Sequence, residues 1–327
     1  MNSEEEKKAG KMEEVASEIE LSDHTDSSLD ILSDSEEQAG TVVGFQVIAR
    51  EFKKDKLAMF SLSLLIVLLL VIFIGSIFFF DQSDVMKVHI LNRYKAPGVA
   101  GYFLGADEGG RDVVGQLFIG ARNSIIIGFS VTILTGIIGI GLGIISGYYG
   151  GIIDNVIMRI VDFIMVLPIN MIIIVFVSVV STYNMFTFVL IMSAFSWVGK
   201  ARIFRSRTLS ESERDYVNAS KTLGTSDLKI MFREVMPNLS SLIIVNSTLN
   251  FAGNIGIETG LSFLGFGLPP TTPSLGTLIG FATSPDVIEN KTWVWLPASL
   301  LILVLMLSIN YVGQALQRAA DSKQRLG

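Results

Sequence analysis

"SIIIGFSVTILTGIIGIGLGIISGYY", residues 124–149, runs for 26 residues without a single charge. About 20 apolar residues carry a helix across the ~30 Å hydrocarbon core of a bilayer. This stretch therefore reads as a membrane-spanning helix, and it sets the class of the whole chain. Within it Gly139, Gly143 and Gly147 recur every four residues. That spacing stacks them on one helix face, where the missing side chains let a second helix approach closely. A dinucleotide loop is excluded, because the spacing is not G-x-G-x-x-G and the glycines sit inside an apolar helix rather than after a strand.

Working outward, Leu57–Phe80 and Trp293–Leu316 are each 24 residues without a charge. Phe163–Val180, Tyr183–Gly199 and Leu239–Phe266, the last carrying only Glu258, complete the set. The expectation is an all-α polytopic membrane protein with six transmembrane helices. The first span is too long for a cleavable signal peptide and follows 56 residues of polar sequence. With no cysteine and only His24 and His89, thiol and imidazole chemistry have little to work with.

The net charge of −6 is unevenly placed. Residues 1–40 hold 13 Asp/Glu against Lys7, Lys8 and Lys11, and nothing there can build a core. Residues 1–44 are read as a disordered acidic cytoplasmic tail. In "GFQVIAREFKKDK", Phe45, Ile48, Ala49 and Phe52 fall at helical spacing among Arg50, Lys53, Lys54 and Lys56. This predicts an amphipathic helix on anionic lipid, opening a segment 45–104 that also holds the first span and an external stretch. With six spans, the outer segments carry six Lys/Arg and the inner ones sixteen, tail excluded. The positive-inside rule then places both termini in the cytoplasm.

On the inner side lies "RDYVNASKTLGTSDLKIMFREVMPN". Residues 208–222 suit a helix, and Gly224 suits the left-handed position that ends one. Thr225 or Ser226 can cap the next helix, Asp227 favours its dipole, and Pro237 closes it before the fifth span. Ala219 and Ser220 are small enough for another backbone to approach. The loop 206–237 is thus a rigid helix–turn–helix with a docking surface, not a tether. Near the third span, "DNVIMRIVDFIMVLP" places Asp154, Arg159 and Asp162 at the cytoplasmic end, with Arg159 and Asp162 spaced to pair at i, i+3. Pro168 removes a backbone hydrogen bond and predicts a kink, of structural or gating use.

The loop resembles the coupling loop of ABC importer permeases. Val217-Asn218-Ala219-Ser220 stands in the place of the family's E-A-A block, followed by Gly224, Ile230 and Met236-Pro237, with Asp215 the nearest carboxylate to the family's glutamate. "FLGADEGGRDVVGQLFIGARNSI", "DNVIMRIVDFIMVLP", "LGTSDLKI" and "ETGLSFLGFGLPPTTPSLGTLI" are similar to the dipeptide/oligopeptide/nickel permease subfamily. Ala106 stands for its usual Thr and Leu275 for its Trp. The likeness is greatest to C-type oligopeptide permeases of Gram-positive bacteria.

This resemblance implies a type I ABC importer permease fold with its core over 105–327. It implies a second permease subunit forming a heterodimer, two cytoplasmic ABC ATPases and an extracellular peptide-binding protein, with membrane lipid around them and no nucleic acid. It implies ATPase-coupling roles for Tyr216, Ala219, Ser220, Leu223, Gly224, Ser226, Asp227 and Ile230. ATP and Mg would be held by the partner ATPases, with no cofactor and no resident metal in this chain. The chain itself lacks G-x-x-x-x-G-K-[ST], which agrees with a non-enzymatic subunit.

Asn246, Asn250, Asn254 and Glu258 form a polar stripe along the fifth span. Unpaired polar groups at membrane depth are costly, so the stripe faces protein or water. One reading is interhelical hydrogen bonding; the other is a translocation path, with Glu258 meeting a peptide amino group or pairing with Arg111 or Arg122. "RDVVGQLFIGAR" reads as a short external interfacial helix, and 267–285 as a surface for a binding protein. A dipeptide or nickel importer is the alternative in the same fold. An autonomous secondary transporter is the alternative from another class, and it would show internal repeats.

Overall fold

The computed structural model describes residues 49–99, 101–180 and 183–324. Among them the regular structure is helical, apart from an isolated bridge between Ala106 and Asp112. The acidic segment 1–44, with Phe45 and Ile48, lies outside the described residues.

Helix α1 (Lys56–Phe78) begins at Asp55, whose carboxylate accepts from the Leu57 and Ala58 N–H groups at 3.1 and 3.0 Å. Those are two of the donors a helix start leaves unpaired. The same carboxylate accepts from Arg318 at 2.8 Å. Just upstream, Phe52 is buried among Ala58, Val312 and Ala315. This apolar position of the amphipathic stretch therefore faces protein, tying the start of α1 to the last helix.

Helix α2 (Val113–Tyr149) has 37 residues, about 55 Å at 1.5 Å per residue. The stretch from Arg111 is thus no separate interfacial helix. Asp112 caps α2 through the Val114 and Gly115 N–H groups, and no proline interrupts the helix from there to Tyr149. Gly150 and Gly151 (φ +62° and +54°) turn the chain into α3 (Gly151–Val166). Pro168 then does more than kink the third span. Leu167 is extended, as a residue before proline prefers, and α4 (Ile169–Val179) departs at 81°.

The fourth span is also bent. Helix α5 (Met185–Ser196) meets α6 (Val198–Ser212) at 44°. The helix expected over 208–222 is split at Glu213–Arg214, between α6 and α7 (Asp215–Thr222). Helix α8 (Asp227–Ile230) runs through a wide turn, Met231–Val235, into α9 (Ser240–Phe263). Pro237 does not close α8. It sits in the first turn of Met236–Asn238, where a missing N–H costs little, while the Met236 N–H reaches back to the Met231 carbonyl. Helices α10 (Leu275–Gly280), α11 (Pro285–Asn290) and α12 (Leu296–Gln324) complete the chain.

Helices α1, α2 and α12 are each long and apolar enough to cross a membrane, as are the bent pairs α3–α4 and α5–α6. Helix α9 has the length, about 36 Å, with its apolar character diluted by the asparagine stripe. Six crossings are compatible with this arrangement, two of them broken. Helix α2 is the spine, packing against α1, α5, α6 and α9.

Candidate functional site

The loop 213–238 is built as a folded unit. Helix α7 ends in a left-handed cap: Gly224 has φ +81°, its N–H reaches the Lys221 carbonyl and the Thr225 N–H reaches that of Ser220. Two otherwise orphan carbonyls are thereby satisfied, as the sequence predicted for Gly224. Ser226 occupies the cap position of α8 without its side chain making the cap bond.

Contacts across the loop fix its shape. Tyr216 donates to Glu211 (2.9 Å) and accepts from Asn238 (3.0 Å), joining the end of α6 to the segment before α9. Burial, and then the Glu211 carboxylate, push the Tyr216 phenol above its ordinary range, so it stays a donor. Ser220 donates to Glu234 (2.7 Å), and Tyr148 at the end of α2 donates to Asp227 (2.8 Å). Val217, Ile230, Met231 and Val235 are buried with Ile144, Tyr148 and Phe204.

The eight residues singled out in the loop therefore divide. Tyr216, Ser220 and Ile230 turn inward, and Asp227 spends its carboxylate on Tyr148. Ala219, Leu223, Gly224 and Ser226 are exposed. Beside them stand Leu228 and Phe232, which sequence reading missed, at 63% and 61% exposure, with Leu223 at 86%. The i, i+4 spacing of Leu228 and Phe232 was the available signal. Exposed large apolar side chains on a rigid polar loop mark a contact surface.

The stem of the loop is clamped to the spine. The α2 glycines face α6: a β-carbon at Gly139, Gly143 or Gly147 would stand 2.7, 2.7 or 2.5 Å from the carbonyl oxygens of Trp197, Ala201 or Arg205. The close approach expected from glycine spacing is present, and its partner is the helix that leads into the loop. Arg205 further pairs with Asp154 on α3, its Nε at 2.9 Å from the carboxylate. Asp162 pairs with Arg202 rather than with Arg159, because α6 brings a guanidinium across that the i, i+3 spacing does not provide.

The polar stripe also divides. Asn250 donates to the Asn246 carbonyl and side chain within α9. Asn254 is buried and donates to Thr132 Oγ1 of α2 at 2.9 Å. Glu258 is fully buried and pairs with neither Arg111 nor Arg122. Hydroxyls of Ser124, Ser262, Ser274 and Thr259 surround it, Ser262 donating at 2.7 Å. Arg111 instead lies 3.8 Å from Asp107, and Arg122 reaches the Ser76 carbonyl. Segment 267–285 folds back onto α2 to supply Ser274: Asn123 donates to the Pro273 carbonyl at 2.8 Å, and Leu275 and Leu278 are buried. Within the expected binding surface, Pro270, Thr271 and residues 283–285 remain exposed.

Sequence reading also missed Lys200. It counted among the cytoplasmic charges, yet it is 3% exposed and lies against α2, donating to Thr135 Oγ1 at 2.5 Å and the Thr132 carbonyl at 3.3 Å.

Residues 139–326 match the family described as the binding-protein-dependent transport system inner membrane component. Residues 45–97 match the N-terminal TM domain of oligopeptide transport permease C. The chain is 53% identical over 277 residues to the oligopeptide transport system permease protein OppC of Lactococcus lactis subsp. cremoris, covering 85% of this chain and 94% of the relative. The oligopeptide permease of Bacillus subtilis is 33% identical, over 84% and 88% of the two chains. The dipeptide transport system permease protein DppC of Haemophilus influenzae is 34% identical, over 83% and 92%.

Proposed function

This chain belongs to the family of binding-protein-dependent transport inner membrane components, and from that premise we propose that it is the permease subunit through which an ATP-driven importer moves oligopeptides across the cytoplasmic membrane. The 53% identity to an oligopeptide permease, against 34% to a dipeptide permease, favours the longer cargo. A second permease subunit completes the pathway as a heterodimer. An extracellular binding protein delivers the peptide, and two cytoplasmic ATPases bind ATP and Mg and carry out the hydrolysis. The positive-inside count supports cytoplasmic termini and a cytoplasmic loop.

The single observation that carries the mechanism is the continuity from loop to spine. Leu223, Leu228 and Phe232 offer an ATPase something apolar to grip. The loop beneath them is pinned to α2 by Tyr148–Asp227 and by the α2–α6 glycine contact. A push on the loop thus moves rigid helices rather than bending a linker. The breaks at Pro168 and at Trp197 are the places where such motion is absorbed, with Asp154–Arg205 and Asp162–Arg202 holding α3 to α6. The half-buried Asn246 and Asn250 support a cargo path, since amides offer donors and acceptors to any peptide backbone, whereas Asn254 is buried against Thr132 and ties α9 to α2. Glu258, caged in hydroxyls, serves to seat the 273–278 turn.

Uptake of labelled pentapeptide, dipeptide and nickel in cells with and without the gene tests this reading. Loss of pentapeptide uptake on deletion, restored by the gene, is the expected result. Loss confined to nickel or dipeptide would overturn the cargo.

A further inference from the structure

Helix α3 is apolar on two faces, and only one of them is covered. The inner face centres on Val161, buried with Val198 and Ala201 of α6. On the opposite side Ile152, Val156, Ile160, Phe163 and Val166 are exposed, from 49% at Ile160 to 84% at Val166. At 3.6 residues per turn these five fall within about 120° of one another, and Arg159 falls near their centre. Arg159 is exposed as well. The acids beside it on α3 are taken, Asp154 by Arg205 and Asp162 by Arg202, and no ion pair reaches Arg159 among the described residues.

The depth of this stripe follows from α6. Asp154 meets Arg205, with Nε at 2.9 Å, and Asp162 meets Arg202; Arg207 stands two residues beyond Arg205. Three arginines within six residues are too costly for the hydrocarbon core, so this level lies on the loop side of the bilayer. Val161 rests on Val198 and Ala201, where the charge-free run Tyr183–Gly199 ends, and this marks the edge of the core. Ile152 and Val156 therefore stand in the aqueous layer, Ile160 at the boundary, and Phe163 and Val166 in the hydrocarbon. Large apolar side chains lined up in water mark a protein contact. Lipid tails reach only the inner half of the stripe, and a soluble ATPase reaches only the aqueous half. A second membrane-spanning chain covers both. The planar guanidinium of Arg159 suits a paired bond to a carboxylate at such an interface.

We propose that this outer stripe of α3 seats the second permease subunit, which presents a carboxylate to Arg159 at the edge of the hydrocarbon layer. The inference rests on the heterodimer reading and gives it a surface.

The test uses the assembled importer in its membrane, with the second permease subunit tagged. This chain has no cysteine, so Val156→Cys places a single thiol in it for benzophenone-maleimide. Irradiation should join this chain to the tagged subunit, above the background of the wild type. Cross-linking only to an ATPase, only to a second copy of this chain, or to no subunit would overturn the proposal. Independently, at equal membrane content, Arg159→Glu should recover about tenfold less of the second subunit than the wild type, and Arg159→Lys should recover most of it. Equal recovery with Arg159→Glu would refute the carboxylate pairing. If Val156→Cys fails to assemble, the two Arg159 variants decide. A wild-type chain that recovers no second permease subunit would instead refute the heterodimer reading, and the inference with it.

Discussion

Gly141 and Gly143 lie two residues apart on α2 and face opposite surroundings. A β-carbon at Gly143 would stand 2.7 Å from the Ala201 carbonyl oxygen, 2.8 Å from the Phe204 β-carbon and 3.0 Å from the Arg205 nitrogen. Two of these are backbone atoms, so no side-chain rotation makes room. The helices must part by about 0.7 Å to restore ordinary contact at ~3.4 Å, and overpacking of that kind costs about 1–3 kcal/mol. At Gly141 nothing lies within 4 Å, so an alanine there gains helix propensity, up to ~1 kcal/mol, without a clash. Gly143→Ala should therefore lower, and Gly141→Ala raise or preserve, the apparent melting temperature of the purified protein. The expected separation between the two variants is several degrees, at about 2 °C per kcal/mol for a chain of this length. Gly143→Ala should also reduce transport, because the clamp carries the loop. Equal shifts for both alanines would refute the assignment of the α2–α6 contact as the clamp.

Gly224→Ala, at φ +81°, should cost about 1 kcal/mol and lower ATPase association, while Gly224→Asn, which tolerates that region, should recover most of both; equal losses measured by co-purification would argue against the cap. Leu228→Ser with Phe232→Ser should leave melting unchanged and abolish ATPase co-purification, because both side chains are exposed; retained co-purification would remove them from the contact surface. Glu258→Gln keeps a hydrogen-bonding group among the hydroxyls and should preserve assembly, whereas Glu258→Ala strands them at about 1–3 kcal/mol; protease sensitivity near 267–285 would report the difference.

Features set by neighbouring residues were legible in the sequence. Freedom from charge gave the spans. The glycine period gave a contact face on α2, and Gly224 gave the helix end, since a left-handed cap is a local matter of one residue and its carbonyls. Partners distant in sequence were not legible. Asp162 chose Arg202, 40 residues away, over the nearby Arg159, because α6 presents its guanidinium in space. For Glu258 a peptide amino group, Arg111 and Arg122 were the named partners, yet it is met by hydroxyls, Ser124 brought by the packing of α2 on α9 and Ser274 by the fold-back of 273–278. Lys200 was counted as cytoplasmic, since charge counting ignores a side chain turned along α2. The break at Pro168 was foreseen in place but not in size, because an 81° turn depends on how α4 packs against α5 rather than on proline alone.

The coupling of ATP hydrolysis to peptide movement through this loop is tested most directly by ATP-dependent pentapeptide accumulation in proteoliposomes. One preparation holds the importer with the wild-type chain, the other with the Leu228→Ser, Phe232→Ser chain at equal membrane content. Accumulation with the wild type and its loss in the variant is the predicted result. Undiminished ATP-driven accumulation in the variant would contradict it.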